Sequence, residues 1–109
     1  ELDLASRASQ SLVIGGLRLD LLRHTVEVDG ADVPLTASEF RVLQMLAEEP
    51  QRVFSRQQIM EHLWESLYVG DARACDVHIS NLRHKIERDP SRPERIVTVR
   101  SIGYKLVAA

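Results

Sequence analysis

Arg73, Val77, Ser80, Asn81 and His84 recur at helical spacing along one side of a segment running from about Ala72 to Arg88. These residue types could read the edges of base pairs. Arginine donates to O6 and N7 of guanine, asparagine pairs with N6 and N7 of adenine, and a small apolar group such as Val77 meets a thymine methyl. Arg88 extends this face, and no acidic side chain interrupts it; Asp76 and Glu87 stand to the side. Cys75, Ile79, Leu82 and Ile86, at i, i+4, i+7 and i+11, fall within one narrow apolar stripe that a core would take. Asp76 and Arg83 flank that stripe on one side, His78 and Lys85 on the other. A major groove about 12 Å wide accepts one α-helix, so such a face needs an anchored inner stripe and rigid neighbours.

Those neighbours are legible. Leu17, Leu19 and Leu21 alternate with polar residues, as do Val26 and Val28, and Val33 and Leu35 follow. Asp29-Gly30 between them predicts a two-residue hairpin turn, and Pro34 predicts an edge. Residues 12–35 therefore read as a small antiparallel sheet. Thr36 and Glu39 form a capping box ahead of Phe40, Leu43, Leu46 and Ala47, with Pro50 past the end. Ser55 and Gln58 form a second box ahead of Ile59, Met60, Leu63 and Trp64, all expected to face inward. A loop around Gly70 leads into the third helix, which Asp89-Pro90 ends. Ile96–Arg100 and Tyr104–Val107 predict a terminal hairpin turning at Ser101-Ile102-Gly103. Sheet, three helices and hairpin in that order predict an α+β winged helix-turn-helix, with an N-terminal antiparallel sheet and a C-terminal β-hairpin wing.

Bulk properties agree with one domain. The chain has 109 residues, 44% of them hydrophobic, enough for a core. Residues 1–11 are polar, without period, and read as a linker remnant ahead of a domain at 12–109. The start at Glu1 predicts a piece of a longer protein. No apolar run reaches the roughly 18 residues of a membrane span, and no secretory signal is visible. The lone Cys75 suits the cytoplasm. The net charge of −2 conceals an asymmetry: residues 1–70 hold 6 basic and 11 acidic side chains, residues 71–109 hold 8 and 5. A polyanion would be drawn to the C-terminal third.

Four ordered motifs carry a resemblance. They are Thr36-x-x-Glu39-Phe40-x-x-Leu43, Ser55-Arg56 ahead of Leu63-Trp64, the run from Asp76 through Arg83 to Lys85-Ile86, and Thr98-Val99-Arg100-Ser101-x-Gly103-Tyr104. From about Leu12 to Val107 the chain resembles the C-terminal effector domain of OmpR/PhoB-type bacterial response regulators. The resemblance implies promoter DNA binding in transcription regulation, often on tandem direct repeats as a head-to-tail dimer. It implies an N-terminal receiver domain, absent here, phosphorylated by a cognate histidine kinase. It also implies RNA polymerase contact through the loop of Glu65, Ser66, Leu67, Tyr68, Val69, Gly70 and Asp71. Carried over by position, Arg73, His78 and Arg83 match DNA-contacting positions of the third helix, and Thr98, Arg100 and Tyr104 match wing positions. Ser80 and Asn81 stand where some relatives carry arginine, and His84 where arginine or lysine is frequent, which implies fewer phosphate contacts and a shallower salt dependence. Ser101 replaces a frequent glycine.

The residues also support plainer readings. Cys75 belongs to the core stripe, and Cys75, His78 and His84 do not converge as zinc requires, so neither metal nor cofactor is expected. Asp76 reads as a structural ion pair. Arg88, Arg92 and Arg95 read as solvated loop charges. Tyr104 shares the parity of Leu106 and could face the core, against the wing contact that the resemblance implies. No phosphate loop, nucleophile elbow or zinc-protease motif is present, so an enzyme is not expected. The alternative is a winged-helix protein-interaction module that does not bind DNA.

Overall fold

Period-two runs and tight turns shape the first third of the chain. The computed structural model describes residues 10–65 and 68–109; residues 1–9, which include most of the expected linker, lie outside the described residues, as do Ser66 and Leu67. Strands β1 (Ser11–Ile14), β2 (Leu17–Asp20), β3 (Thr25–Val28) and β4 (Ala31–Val33) form an antiparallel sheet in sequential order. Asp29 and Gly30 both take positive φ, 52° and 87°, the turn that matches strand twist. Asp20 accepts from the amides of Leu22 and Arg23 and closes the β2–β3 turn. β1 is a separate strand that the alternating leucines at 17–21 do not announce, and β4 stops at Val33 because Pro34 lacks the N–H to continue it.

Both capping boxes form. In α1 (Ala37–Glu48) the Glu39 amide donates to Thr36 Oγ1 at 3.2 Å, and the Thr36 amide donates to Glu39 Oε1 at 2.9 Å. In α2 (Arg56–Trp64) Ser55 and Gln58 repeat the exchange at 3.0 and 2.8 Å. Each cap satisfies donors that the first helical turn leaves orphaned. Trp64 corrects an expectation: it is 65% exposed, because α2 ends there, past the core residues Ile59 and Met60. Its ring tilts against Tyr68 at 5.7 Å.

The third helix is shorter than the predicted Ala72–Arg88. Asp71 accepts from the Arg73 amide and winds Ala72–Ala74 into a 3-10 turn; α3 proper runs Cys75–Ile86. It stops because Glu87 adopts extended backbone, and its buried carboxylate accepts from the amides of Glu94, Arg95 and Ile96. Strands β6 (Ile96–Val99) and β7 (Gly103–Leu106) form the wing, and a two-residue strand β5 (Phe54–Ser55), unforeseen from sequence, adds to β7. A Cβ on Gly103 would lie 1.9 Å from the Phe54 carbonyl oxygen, so β5 approaches this closely only against glycine.

The core lies between the sheet and the helices. Leu17, Leu19, Val26, Phe40, Leu43, Leu46, Ile59, Ile96 and Leu106 are buried with the complete predicted stripe of α3, Cys75, Ile79, Leu82 and Ile86. Each large aliphatic side chain so buried contributes roughly 1.5–3 kcal/mol. Lys85 of α3 donates to Glu39 of α1 at 2.6 Å at the edge of this core.

Burial works against the charged form of Glu39, but bonds from Lys85 and the Thr36 amide outweigh it and hold the carboxyl below its ordinary value of 4.5. The unfolded state therefore takes up that proton first as pH falls. The Glu39 contribution is complete above about pH 4.5 and is lost as pH drops through the lower native value. Glu39→Gln should lower stability at pH 7 and flatten this acid limb, read by denaturant titration across pH. Burial, then the nearby Asp76 charge, pushes the Cys75 thiol up to about 11. The folded domain should resist a thiol-alkylating reagent at pH 8, with labelling that rises only as denaturant unfolds it.

Candidate nucleic-acid interface

With its apolar stripe buried, α3 turns the opposite face to solvent. Val77 is 62% exposed, and Arg73, Ser80, Asn81 and His84 are exposed beside it, as the spacing predicted. His78 and Arg83 are half-buried at the flanks. His84 Nδ1 lies 2.8 Å from the Ser80 carbonyl. A carbonyl only accepts, so Nδ1 carries the proton there and Nε2 is left for an outside partner. Arg73 is tied to its own helix start: its guanidinium reaches both Asp71 oxygens at 2.9–3.2 Å. The bonds from the Arg73 side chain and amide lower the Asp71 pKa. A phosphate or guanine would have to compete with that carboxylate for Arg73.

The junction of α2, α3 and wing is a polar cluster. Asp76 Oδ1 accepts from Arg56 Nε at 2.6 Å and from the Tyr104 hydroxyl at 2.5 Å. Burial disfavours the Asp76 charge, but the Tyr104 and Arg56 bonds prevail and lower its pKa. Tyr104 is 4% exposed, so the core-facing reading of its strand parity describes the side chain, and its hydroxyl is engaged within the protein. The guanidiniums of Arg56 and Arg83 each lie 5.3 Å from the Tyr104 ring centre. Arg83 also donates to the Ile96 carbonyl and to Thr98 Oγ1. Asp76 as a structural ion pair was legible in sequence; Arg56 as its partner was not, being 20 residues away.

The wing tip carries exposed Arg100, Ser101 and Ile102. Ser101 takes φ 66°, the left-handed conformation that glycine adopts without cost, at the position where the resemblance expects glycine. Arg100 and Lys105 have no ion pair among the described residues.

At the far end of α3 the arginines depart from expectation. Arg95 is no solvated loop charge: its side chain is 2% exposed and bonds Asp29 Oδ1 at 2.7 Å and the Ile86 carbonyl. Arg88 pairs with Asp29 at 3.2 Å and Glu94 at 3.5 Å. Arg92 is exposed, as expected. In the α2–α3 loop, Glu65 takes a left-handed φ of 56°, Tyr68 is half-buried with its carbonyl held by Gln57, and Val69 and Gly70 are exposed before the capping Asp71. Among the described residues no group of three or more His, Cys, Asp or Glu could hold a metal ion, and no helix is long and apolar enough to cross a membrane.

Known proteins match this architecture. The family described as "Transcriptional regulatory protein, C terminal" matches residues 30–106. The sensory transduction protein RegX3 of Mycolicibacterium smegmatis is 44% identical over 95 residues, covering 87% of this chain and 42% of that protein. The chain thus spans less than half the length of that curated relative. The response regulator DrrB of Thermotoga maritima, an OmpR/PhoB homolog, superposes with a TM-score of 0.83 at 30% identity over 98% of this chain and 52% of that one. The Klebsiella pneumoniae RstA DNA-binding domain, solved in complex with RstA box, gives 0.81 at 32% identity over 90% and 97%. The chain therefore belongs to the transcriptional-regulatory C-terminal family, as the winged-helix DNA-binding effector domain of an OmpR/PhoB-type response regulator.

Proposed function

We propose that α3 enters the major groove of a specific promoter site while the wing grips the neighbouring backbone or minor groove. The exposed outer face of α3 carries this reading: Val77, Ser80, Asn81 and His84 offer a thymine-methyl contact and base-edge donors and acceptors, with no carboxylate among them. Arg73 leads that face once it exchanges Asp71 for a ligand, His78 and Arg83 flank it, and Thr98, Arg100 and the scaffold residue Tyr104 belong to the wing. In the wider protein, a receiver domain phosphorylated by a histidine kinase in the cytoplasm controls occupancy. Two copies sit head to tail on tandem repeats, and the loop from Glu65 to Asp71 meets RNA polymerase.

Charge shapes how tightly one copy grips. In residues 71–109, Arg73, Lys85, Arg88 and Arg95 are bound to carboxylates within the domain. That leaves half of the eight cations for phosphates, and each phosphate contact steepens the salt dependence by about 0.9 on the logarithmic scale. A shallow slope should therefore accompany a sequence preference set by polar base contacts.

Selection of bound duplexes from a random pool tests the reading and yields the site. Asn81→Ala should cost roughly 1–3 kcal/mol on that site and far less on random DNA. Equal losses on both would reduce Asn81 to a backbone contact. Arg100→Ala should weaken binding to every duplex and lower the salt slope by about 0.9; an unchanged slope would remove it from the phosphate contacts. A domain that binds no duplex in a salt-dependent way would instead be an interaction module.

A further inference from the structure

We propose that Arg83 is a positioning residue, a strut that fixes the wing on the recognition helix so that Arg100 reaches its phosphate. The proposal rests on the reading that α3 and the wing bind DNA, and it assigns Arg83 a different part in that act from direct contact.

The geometry has three elements. Arg83 Nε and Nη2 both donate to the Ile96 carbonyl, at 3.1 and 2.7 Å, and Nη2 also donates to Thr98 Oγ1 at 2.8 Å. Its guanidinium carbon lies 5.3 Å from the ring centre of Tyr104, the cross-strand partner of Thr98. One side chain of α3 therefore spans the β6–β7 ladder at its last pair but one before the turn.

The sheet topology shows why the wing needs this. The order is β5-β7-β6. On one side β7 is held by β5 at Gly103 and Tyr104. On the other side β6 is an edge strand, with no neighbour among the described residues. Glu87 secures only its first amide, at Ile96. Among the described residues, the side-chain hydrogen bonds that link α3 to the rest of β6 are those of Arg83. Beyond Thr98 come Val99, Arg100 and the strained Ser101, so the aim of Arg100 depends on where β6 is held.

Arginine and lysine separate positioning from charge. Lysine keeps the positive charge that a phosphate contact needs, but it lacks the planar fork that reaches two acceptors while lying over a ring. Exchange of backbone amides is measured first, on the free domain. In Arg83→Lys the Ile102 amide, which donates to the Val99 carbonyl at 2.9 Å, should exchange about tenfold faster, while amides of α1 keep their protection. Acceleration spread equally over α1 and the wing would overturn the proposal, because Arg83 would then support the whole fold. Unchanged exchange at Ile102 would overturn it as well.

Binding to the selected site gives the second measurement. Arg83→Lys and Arg100→Ala should lose similar affinity, and the double variant should be hardly weaker than either, because both remove one contact. Full affinity in Arg83→Lys, or additive losses in the double variant, would make Arg83 an independent phosphate contact and overturn the proposal. A wild-type domain that binds no duplex would sink the DNA reading itself, a result distinct from either, since the exchange experiment contains no DNA.

Discussion

The carboxylate of Asp76 is where three elements meet. It sits in the first turn of α3, accepts from Arg56 at the start of α2, and accepts from Tyr104 in the middle of β7. The pair with Arg56 is partly solvated, with side-chain exposures of 30% and 45%, so its Coulomb attraction is worth little by itself. Its value is geometric. A shared acceptor fixes the distance between two helices and a strand that the core alone would leave free to slide. Arg83 completes the arrangement from the other end of α3 by reaching past the Tyr104 ring to β6. Under the proposed reading, helix and wing must address the duplex in fixed relation, and this polar cluster holds them so.

The same economy explains why a basic C-terminal third makes a face that is polar more than positive. Half of the eight cations there are spent on internal carboxylates: Lys85 braces α3 against α1, Arg95 and Arg88 bind Asp29, and Arg73 binds its own cap. The outer face of α3 exposes Ser80, Asn81 and His84, hydrogen-bonding groups around Val77. Such a face discriminates between bases better than it grips phosphate. Under the proposed reading, that favours two linked copies on adjacent sites, since pairing multiplies a modest grip without adding contacts to either copy.

What the sequence disclosed was local. Thr36 with Glu39, Ser55 with Gln58 and Asp29 with Gly30 each announce their geometry within four residues, and all three formed. The stripe from Cys75 to Ile86 announced its burial by period. What stayed hidden was non-local. Arg95 looks like any loop arginine until the fold brings Asp29, 66 residues earlier, to its guanidinium. Trp64 continues an apolar pattern, and only the left-handed Glu65 that follows shows that the helix has ended. The two residues of β5 are too few for a period and exist because Gly103 admits them. The candidate site divides in the same way. Its outer face was legible, while the distant partners that restrain Arg83 and Tyr104 were not.

Those hidden partners bear on regulation. At its start α3 is tied to α2 and β7 through Asp76. At its end the Ile86 carbonyl accepts from Arg95, which caps the helix, and Glu87 captures the three amides that lead into β6. Arg95 in turn holds Asp29, whose carboxyl is kept low by Arg95 and Arg88, so the β3–β4 turn of the N-terminal sheet is joined to the same point. Sheet, recognition helix and wing are thus linked by charged hydrogen bonds at both ends of α3. Among the described residues, these bonds tie both ends of α3 to the sheet and the wing, which opposes tilting α3 alone. Under the proposed reading, a receiver would then act on the domain as one body, by setting how two copies meet on DNA.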